Sequence, residues 1–566
     1  MPRPSSCSIS PVGSNVPAGL ADYLTNIAQH SLRRLKQELR FKLNAWTLAA
    51  LVVGLMLFLP MAEVLWHLTS PAANWEHLRD TVLGRYLKGS VILVLGSAAL
   101  SVLLGVSTAW LVACCEFPGR KIFEWALILP LAIPTYIAAY AYFDLLDQLT
   151  PVLIWVRLNI SPEAMTLLSD TMVYPVTIVV LTAVLYPYVY LVARSAFARQ
   201  SNQCIEAART LGYGPQSTFW RVALPLARPA IVGGVALVIM ETLNDYGAVE
   251  HFNVPTFTTG IFRTWLSGGD LPGALRLAAC LMALILFFLV MEKWLRFGAK
   301  FHKSSQADRP FQRYALGQTK AGLAILCCLL PLVIGFVLPL SRLVYWASLT
   351  AGKILDATFF KLTLNSIAVA SAAGLATVVL ALFLAFTARY FGSRTISATN
   401  RLAILGYAVP GAVIAMGILL VAGQVTQATG WILTGSLTAM LLAYVVRFLA
   451  VAWHPIDSGM ERNCEQLNSA ARSLGANAAR SLFQINVPLL RNALIAAGLF
   501  VFVDTMKELP LTLILRPFDF ETLSTRTFDL AKQAQIPESS VPALCIILFS
   551  LLPVIWLNRQ MRTPEK

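Results

Sequence analysis

Charge is what this chain has least of. Only 13% of its 566 residues are Asp, Glu, Lys or Arg and 57% are hydrophobic, where soluble domains carry about 25% charged residues. That scarcity excludes an ordinary soluble globular protein. Acids are the scarcer sign, 29 against 44 bases, for a net charge of +15. No basic-aromatic patch or nucleic-acid-binding motif accompanies the excess. The bases are therefore read as loop charge on the cytoplasmic side of a membrane, and no nucleic-acid partner is expected. Paired metal-ligand cysteines are missing as well. Of nine cysteines, Cys114, Cys115, Cys280, Cys327, Cys328 and Cys545 lie inside apolar runs, and none shows C-x2-C spacing. Also missing is G-x4-G-K-[ST]: Gly352-Lys353 is preceded by Ala347 and followed by Ile354, so the chain has no P-loop for ATP.

What the chain has instead is long apolar runs. A span needs about 20 apolar residues, and twelve candidates lie near 46–68, 89–115, 124–148, 174–197, 226–248, 273–297, 321–345, 362–388, 401–423, 432–453, 490–512 and 539–557. The first is too long for a signal-peptide core and follows a basic flank, Arg33 to Lys42, so it reads as an uncleaved anchor. Residues 1–45 form a cytoplasmic tail, 46–297 a first membrane domain, and 298–320 a basic linker. Residues 321–558 form a second membrane domain and 559–566 a tail. An even number of spans puts both termini in the cytoplasm. Between spans, 144–173 is the weak joint, where Pro151-Val152-Leu153-Ile154-Trp155 is read as a short re-entrant or interfacial helix. The fold class is an all-α polytopic membrane protein.

The two domains repeat each other. Glu206-Ala207-Ala208-Arg209-Thr210-Leu211-Gly212, continuing to Pro225, returns as Ser469-Ala470-Ala471-Arg472-Ser473-Leu474-Gly475, continuing to Pro488. Both the glycines and the prolines are 263 residues apart. Glu241 and Asp245 align with Asp504 and Glu508 at the same offset, and Phe262-Arg263-Thr264-Trp265 with Thr525-Arg526-Thr527-Phe528. Upstream the offset is 276, from Ser90 to Ser366 and Pro134 to Pro410. Each half has an even number of spans, so the repeat is parallel. The two loops, 198–228 and 455–491, both fall on the cytoplasmic side. Their alanines are strong helix formers, Gly212 and Gly475 can turn the chain at positive φ, and Pro225 and Pro488 suit a helix's first turn.

E-A-A-x3-G-x9-[I/V]-x-[L/V]-P resembles the EAA loop of permease subunits of ATP-driven (ABC) importers, and the resemblance covers about 90–560. It implies a type I importer permease with both transmembrane domains fused in one chain. Each loop's coupling helix would then seat on one of two copies of an ATPase subunit. Glu206, Ala207, Ala208, Gly212, Pro225, Ser469, Ala470, Ala471, Gly475 and Pro488 would be the coupling residues. A periplasmic binding protein would deliver cargo at a bacterial inner membrane. No cofactor is expected in this chain, since ATP and Mg would lie on the ATPase, and the chain is not expected to be an enzyme. One departure stands out: the family glutamate is Glu206 in the first loop and Ser469 in the second. Leu266-Ser267-Gly268-Gly269-Asp270 echoes an ATPase signature but has no Walker partner, and is read as coincidence.

Charged groups within spans are costly and usually functional. Glu241 and Asp245, like Asp504 and Glu508, are four apart, which on a helix puts both carboxylates on one face. They need water, a cation or a base such as Arg263, Arg526 or Lys507. They can line a translocation path, form a structural network, or dock a binding protein, and the sequence leaves all three open. Fe3+ is a plausible cargo, a hard ion for carboxylates and for phenolates from Tyr246, Tyr136, Tyr140 and Tyr142, with Asp144 nearby; no stable metal site is expected. The wording from Glu241 to Val249 and the fused architecture resemble the iron(III) branch of the family, with the thiamine branch a close neighbour. From other classes, an ion-coupled secondary transporter would leave the doubled loops unexplained, and in a membrane scaffold or receptor the buried acids need not face a cavity.

Overall fold

The computed structural model of the protein describes residues 44–69, 74–148, 150–296, 313–463 and 465–561. Both expected tails, apart from their membrane-proximal ends, and most of the 298–320 linker lie outside the described residues. The described chain is almost entirely helical, as a lipid environment that cannot satisfy free backbone groups demands. In the first half α1 is Ala45–Trp66, α2 Gly84–Cys114, α3 Thr135–Asp147, α4 Thr150–Asn159, α5 Pro162–Thr210, α6 Leu224–Asn244 and α7 Leu271–Arg296. The second half holds α8 (Gln318–Leu332), α9 (Leu338–Ile354), α10 (Ala357–Phe391), α11 (Gly411–Thr429), α12 (Leu437–Asn463), α13 (Glu465–Ser473), α14 (Val487–Lys507) and α15 (Ser540–Met561).

All twelve expected spans have a counterpart, but two are not simple spans. Ten helices are long and apolar enough to cross a membrane. The run at 124–148 is instead a pair, Arg120–Ala132 and α3, bent by 90°. The run at 539–557 has a shorter apolar helix at Ser540–Leu552. The weak joint resolves into α4, a separate helix with no buried residue.

Each half lends its first helix to the other. α1 lies along α11 and the Arg394–Ile404 helix: Trp46 packs on Phe383 and Phe386, and the Pro60 carbonyl sits where a side chain on Gly417 would be, 2.2 Å from an added Cβ. In return, α8 and the turn after it lie on the first half, and α9 runs from there onto α15 of its own half. Tyr142 Oη donates to the Ile334 carbonyl at 2.5 Å, and Arg342 pairs with Asp144 at 2.5 Å. Asp144 is thereby committed to a contact between halves. Before α8, Cys115–Glu116 and Tyr314–Ala315 form a two-stranded parallel ladder. Close helix contact at small residues is the usual means of association in a membrane, where burial from lipid gains little.

The repeat holds in three dimensions. Pro134 and Pro410 precede α3 and α11 in the same extended conformation. The Ser90 and Ser366 hydroxyls accept from the backbone of Phe257 and Leu523. That last pair corrects the alignment beyond Glu508. Thr256 and Thr522 carry matching capping boxes, and Asn253 and Asp519 share a left-handed backbone, φ 56° and 60°. The offset there is 266, from 253 to 519, so Phe262 corresponds to Phe528. The three extra residues fall between Glu508 and Arg516, where Pro510–Leu515 is longer than its counterpart Gly247–His251.

Candidate functional site

α6 and α14 stop at equivalent points. Asp245 and Glu508 leave the helix with extended backbone, and the chain folds back into Gly247–His251 and Pro510–Leu515. Both carboxylates cap the returning helix. Asp245 Oδ1 accepts from Ala248 N at 3.0 Å and Val249 N at 3.2 Å, and Glu508 Oε1 accepts from Leu511 N at 3.3 Å. Their main-chain carbonyls accept from the Thr258 and Ser524 hydroxyls. The expectation of two carboxylates on one helical face is therefore corrected: each helix ends one residue before its second acid.

Between the two corners lies a cavity of about 140 Å³. All five acids and tyrosines expected on the pathway, Glu241, Asp245, Tyr246, Asp504 and Glu508, line it, with Tyr136, Tyr407, Arg447 and Lys507. Their surroundings divide them. Asp245 also accepts from the Thr135 hydroxyl, and Glu508 pairs with buried Arg447 at 3.1 Å. Arg447 donates in turn to the Val409 carbonyl at 2.9 Å. These two acids are held by a structural network. Glu241 and Asp504 are only half-buried. Tyr407 Oη lies 3.5 Å from Glu241, and neither acid is in an ion pair among the described residues. Lys507 donates across the interface to the Leu131 carbonyl at 2.7 Å. Tyr246 stacks on Phe262 with ring centroids 3.8 Å apart.

The basic partners expected from sequence are largely elsewhere. Arg263 pairs with Glu250 at 3.3 Å and Arg526 with Glu521 at 3.8 Å. Only Lys507 faces the cavity. The partner that sequence reading missed is Arg447, and its signal was present: an arginine inside the apolar α12 run. Of the other tyrosines, Tyr142 is spent on Ile334, while Tyr140 is buried against His251. Among the described residues, no three His, Cys, Asp or Glu side chains form a group able to hold a metal ion.

The repeated loops close α5 and α13 in the same way. Gly212 and Gly475 have φ of 82° and 81°. Tyr213 N donates to the Ala208 carbonyl at 3.0 Å and Ala476 N to the Ala471 carbonyl at 2.9 Å, the six-to-one bond that ends a helix at a left-handed glycine. Ala208 and Ala471 face inward, whereas Glu206, Ala207, Ser469, Ala470, Leu211 and Leu474 are exposed. Pro225 and Pro488 do fall in the first turn of α6 and α14, but each follows a wide π turn, Phe219–Ala223 and Leu482–Asn486, that joins it to a short helix beyond the loop glycine, Pro215–Thr218 and Ala478–Ser481. The widened turn accommodates the missing proline N–H.

Residues 101–298 and 377–563 both match the family described as binding-protein-dependent transport system inner membrane component. The chain is 28% identical over 522 residues, 91% of its length and 97% of the other's, to the Fe(3+)-transport system permease protein FbpB 2 of Haemophilus influenzae. Single halves resemble shorter proteins. The molybdenum transport system permease protein ModB of Escherichia coli is 29% identical, over 36% of this chain and 92% of its own. The sulfate transport system permease protein CysT of the same organism is 26% identical, over 44% and 91%. Two matched segments, two equivalent loops and one cavity between the halves make this chain a fused, multi-pass member of the binding-protein-dependent transport system inner membrane components.

Proposed function

We propose that this permease carries ferric iron, delivered by a periplasmic binding protein, into the cytoplasm by alternating access of the cavity between its halves. One observation carries the cargo assignment: Glu241 and Asp504 face the cavity without an ion pair among the described residues, while the guanidinium of Arg447 is taken by Glu508. Free carboxylates outnumber the one remaining base, Lys507, which favours a hard cation over an oxyanion such as molybdate or sulfate. The full-length likeness to an Fe(3+) permease supports the same choice.

In this reading two ATPase subunits, holding ATP and Mg, seat on the loop helices at Glu206–Gly212 and Ser469–Gly475. Their closure draws the halves together. Both termini lie in the cytoplasm, and the chain itself catalyses no reaction. Glu241 and Asp504 meet cargo, while Asp245, Tyr246 and Glu508 shape the corners through which it passes.

The test is uptake into proteoliposomes holding this chain, its ATPase and its binding protein, with labelled Fe3+, molybdate and thiamine compared. ATP-driven iron uptake alone is expected, and Gly212→Pro is expected to abolish it, because proline fixes φ near −65° where this turn needs a positive value. Uptake of molybdate or thiamine would reassign the cargo. Uptake that followed an ion gradient and ignored ATP would overturn the importer reading.

A further inference from the structure

Among the described residues α4 has no counterpart in the second half, where residues 430–436, with left-handed Gly430 and Gly435, join α11 to α12. It is ten residues long, with no buried residue. Leu153 and Val156, three apart, are half-buried where α4 rests on the start of α5. At 100° per residue, Pro151, Ile154, Trp155 and Leu158 fall on the other side as one apolar arc. That arc is bare: Trp155 is 58% and Leu158 77% exposed. Arg157 and Asn159 flank it. Exposed apolar residues continue from it along the neighbouring spans, at Phe143 on α3 and at Met172 and Val179 on α5. The apolar surface of α4 is thus an extension of the lipid-facing surface of the first half.

The geometry points to α4 as an interfacial anchor, lying in the headgroup boundary of the bilayer with Ile154, Trp155 and Leu158 turned into the acyl region. An apolar arc carrying tryptophan, edged by a basic residue, is the pattern of helices that lie in that plane. The anchor is joined to α3 by two residues. α3 begins at Thr135 and Tyr136 on the cavity wall, so α4 fixes the far end of one cavity-lining helix to the membrane surface. The second half has no helix at this point, only a turn whose Trp431 and Ile432 are each 76% exposed.

A photoreactive side chain can test this directly. In the full chain in phosphatidylethanolamine/phosphatidylglycerol nanodiscs, Leu158→benzoylphenylalanine is expected to yield an adduct heavier by one phospholipid on illumination. Arg157→benzoylphenylalanine is expected to yield several-fold less. Absence of a lipid adduct at 158, or cross-linking there to a second copy of the chain, would overturn the anchor. Amide exchange gives a second readout. Ile154→Asn with Leu158→Asn is expected to raise exchange across 150–159 about tenfold while leaving α5 unchanged; equal protection in the variant and the parent would also count against it.

Discussion

The two corners of the cavity carry the same backbone with different chemistry. In the first, Thr135 reaches Asp245 and the facing position on α5 is Val184. In the second, the residue equivalent to Thr135 is Gly411, and an added Cβ there would lie 2.5 Å from Glu508 Oε1. The space left by the missing side chain admits the longer acid, and Arg447 replaces Val184 to neutralise it. Three substitutions thus form one set. The comparison teaches that the repeat fixes where a carboxylate must cap a returning helix, while leaving open how that carboxylate is satisfied.

Breaking the second set should give the largest effect. Arg447→Val copies the first corner's α5 residue but strands Glu508 in a buried site. A loss of about 3–5 kcal/mol is expected, the usual cost of leaving a buried charge unpaired. Thermal unfolding in one detergent checks it. Converting the whole corner, Arg447→Val with Glu508→Asp and Gly411→Thr, should recover most of that loss if the three residues act together. Additive losses would show that they do not.

The coupling loops differ more gently. Their helix ends superimpose in conformation, yet Glu206 faces Ser469 in the repeat. The second loop is instead tied down by a reciprocal amide pair, Asn468 with Asn486, at 2.8 and 3.2 Å. The first has Ile205 and Ala223 at these positions. If an acid reaches a base on the ATPase, Glu206→Ser should lower coupled ATP hydrolysis roughly tenfold, as loss of a charge-assisted hydrogen bond of about 1.5 kcal/mol would. Ser469→Glu should leave it unchanged or raise it. A larger fall from changing Ser469 than from changing Glu206 would reverse the assignment of the stronger loop.

Much of this architecture was legible in the sequence because its signals are local. The loop motif fixes a left-handed glycine and a proline at set spacing, and span length follows from bilayer thickness. The exchange of α1 and α8 was not legible. In a uniformly apolar helix the lipid face and the protein face have the same composition, so nothing in Ala45–Trp66 names the half it packs on. Arg447 was legible by its cost alone, as a lone base in an apolar run. Register beyond Glu508 was lost because three residues enter the segment between Glu508 and Arg516, and the short, similar threonine runs on either side align equally well at 263 and at 266.

The corrected register sets the smallest test. At an offset of 266, Glu250 corresponds to Arg516 and Arg263 to Asp529, and both pairs form: Arg263–Glu250 at 3.3 Å and Arg516–Asp529 at 3.0 Å. The ion pair is kept with its charges exchanged, bracing the same left-handed turn. Such partly exposed pairs contribute about 0–1 kcal/mol, so the double exchange Glu250→Arg with Arg263→Asp should keep the ion pair and cost in thermal unfolding only what the other bonds of Arg263 contribute. Single losses should differ between the halves. Arg263 also donates to Asn253 Oδ1 at 2.8 Å, at the left-handed residue itself, whereas no hydrogen bond from Arg516 to Asp519 is found. Arg263→Ala should therefore cost more than Arg516→Ala, by about 0.5–1 kcal/mol for the additional bond. Equal costs would mean that the first turn is held by its backbone alone, as the exposed second turn with Phe518 at its tip then would be too.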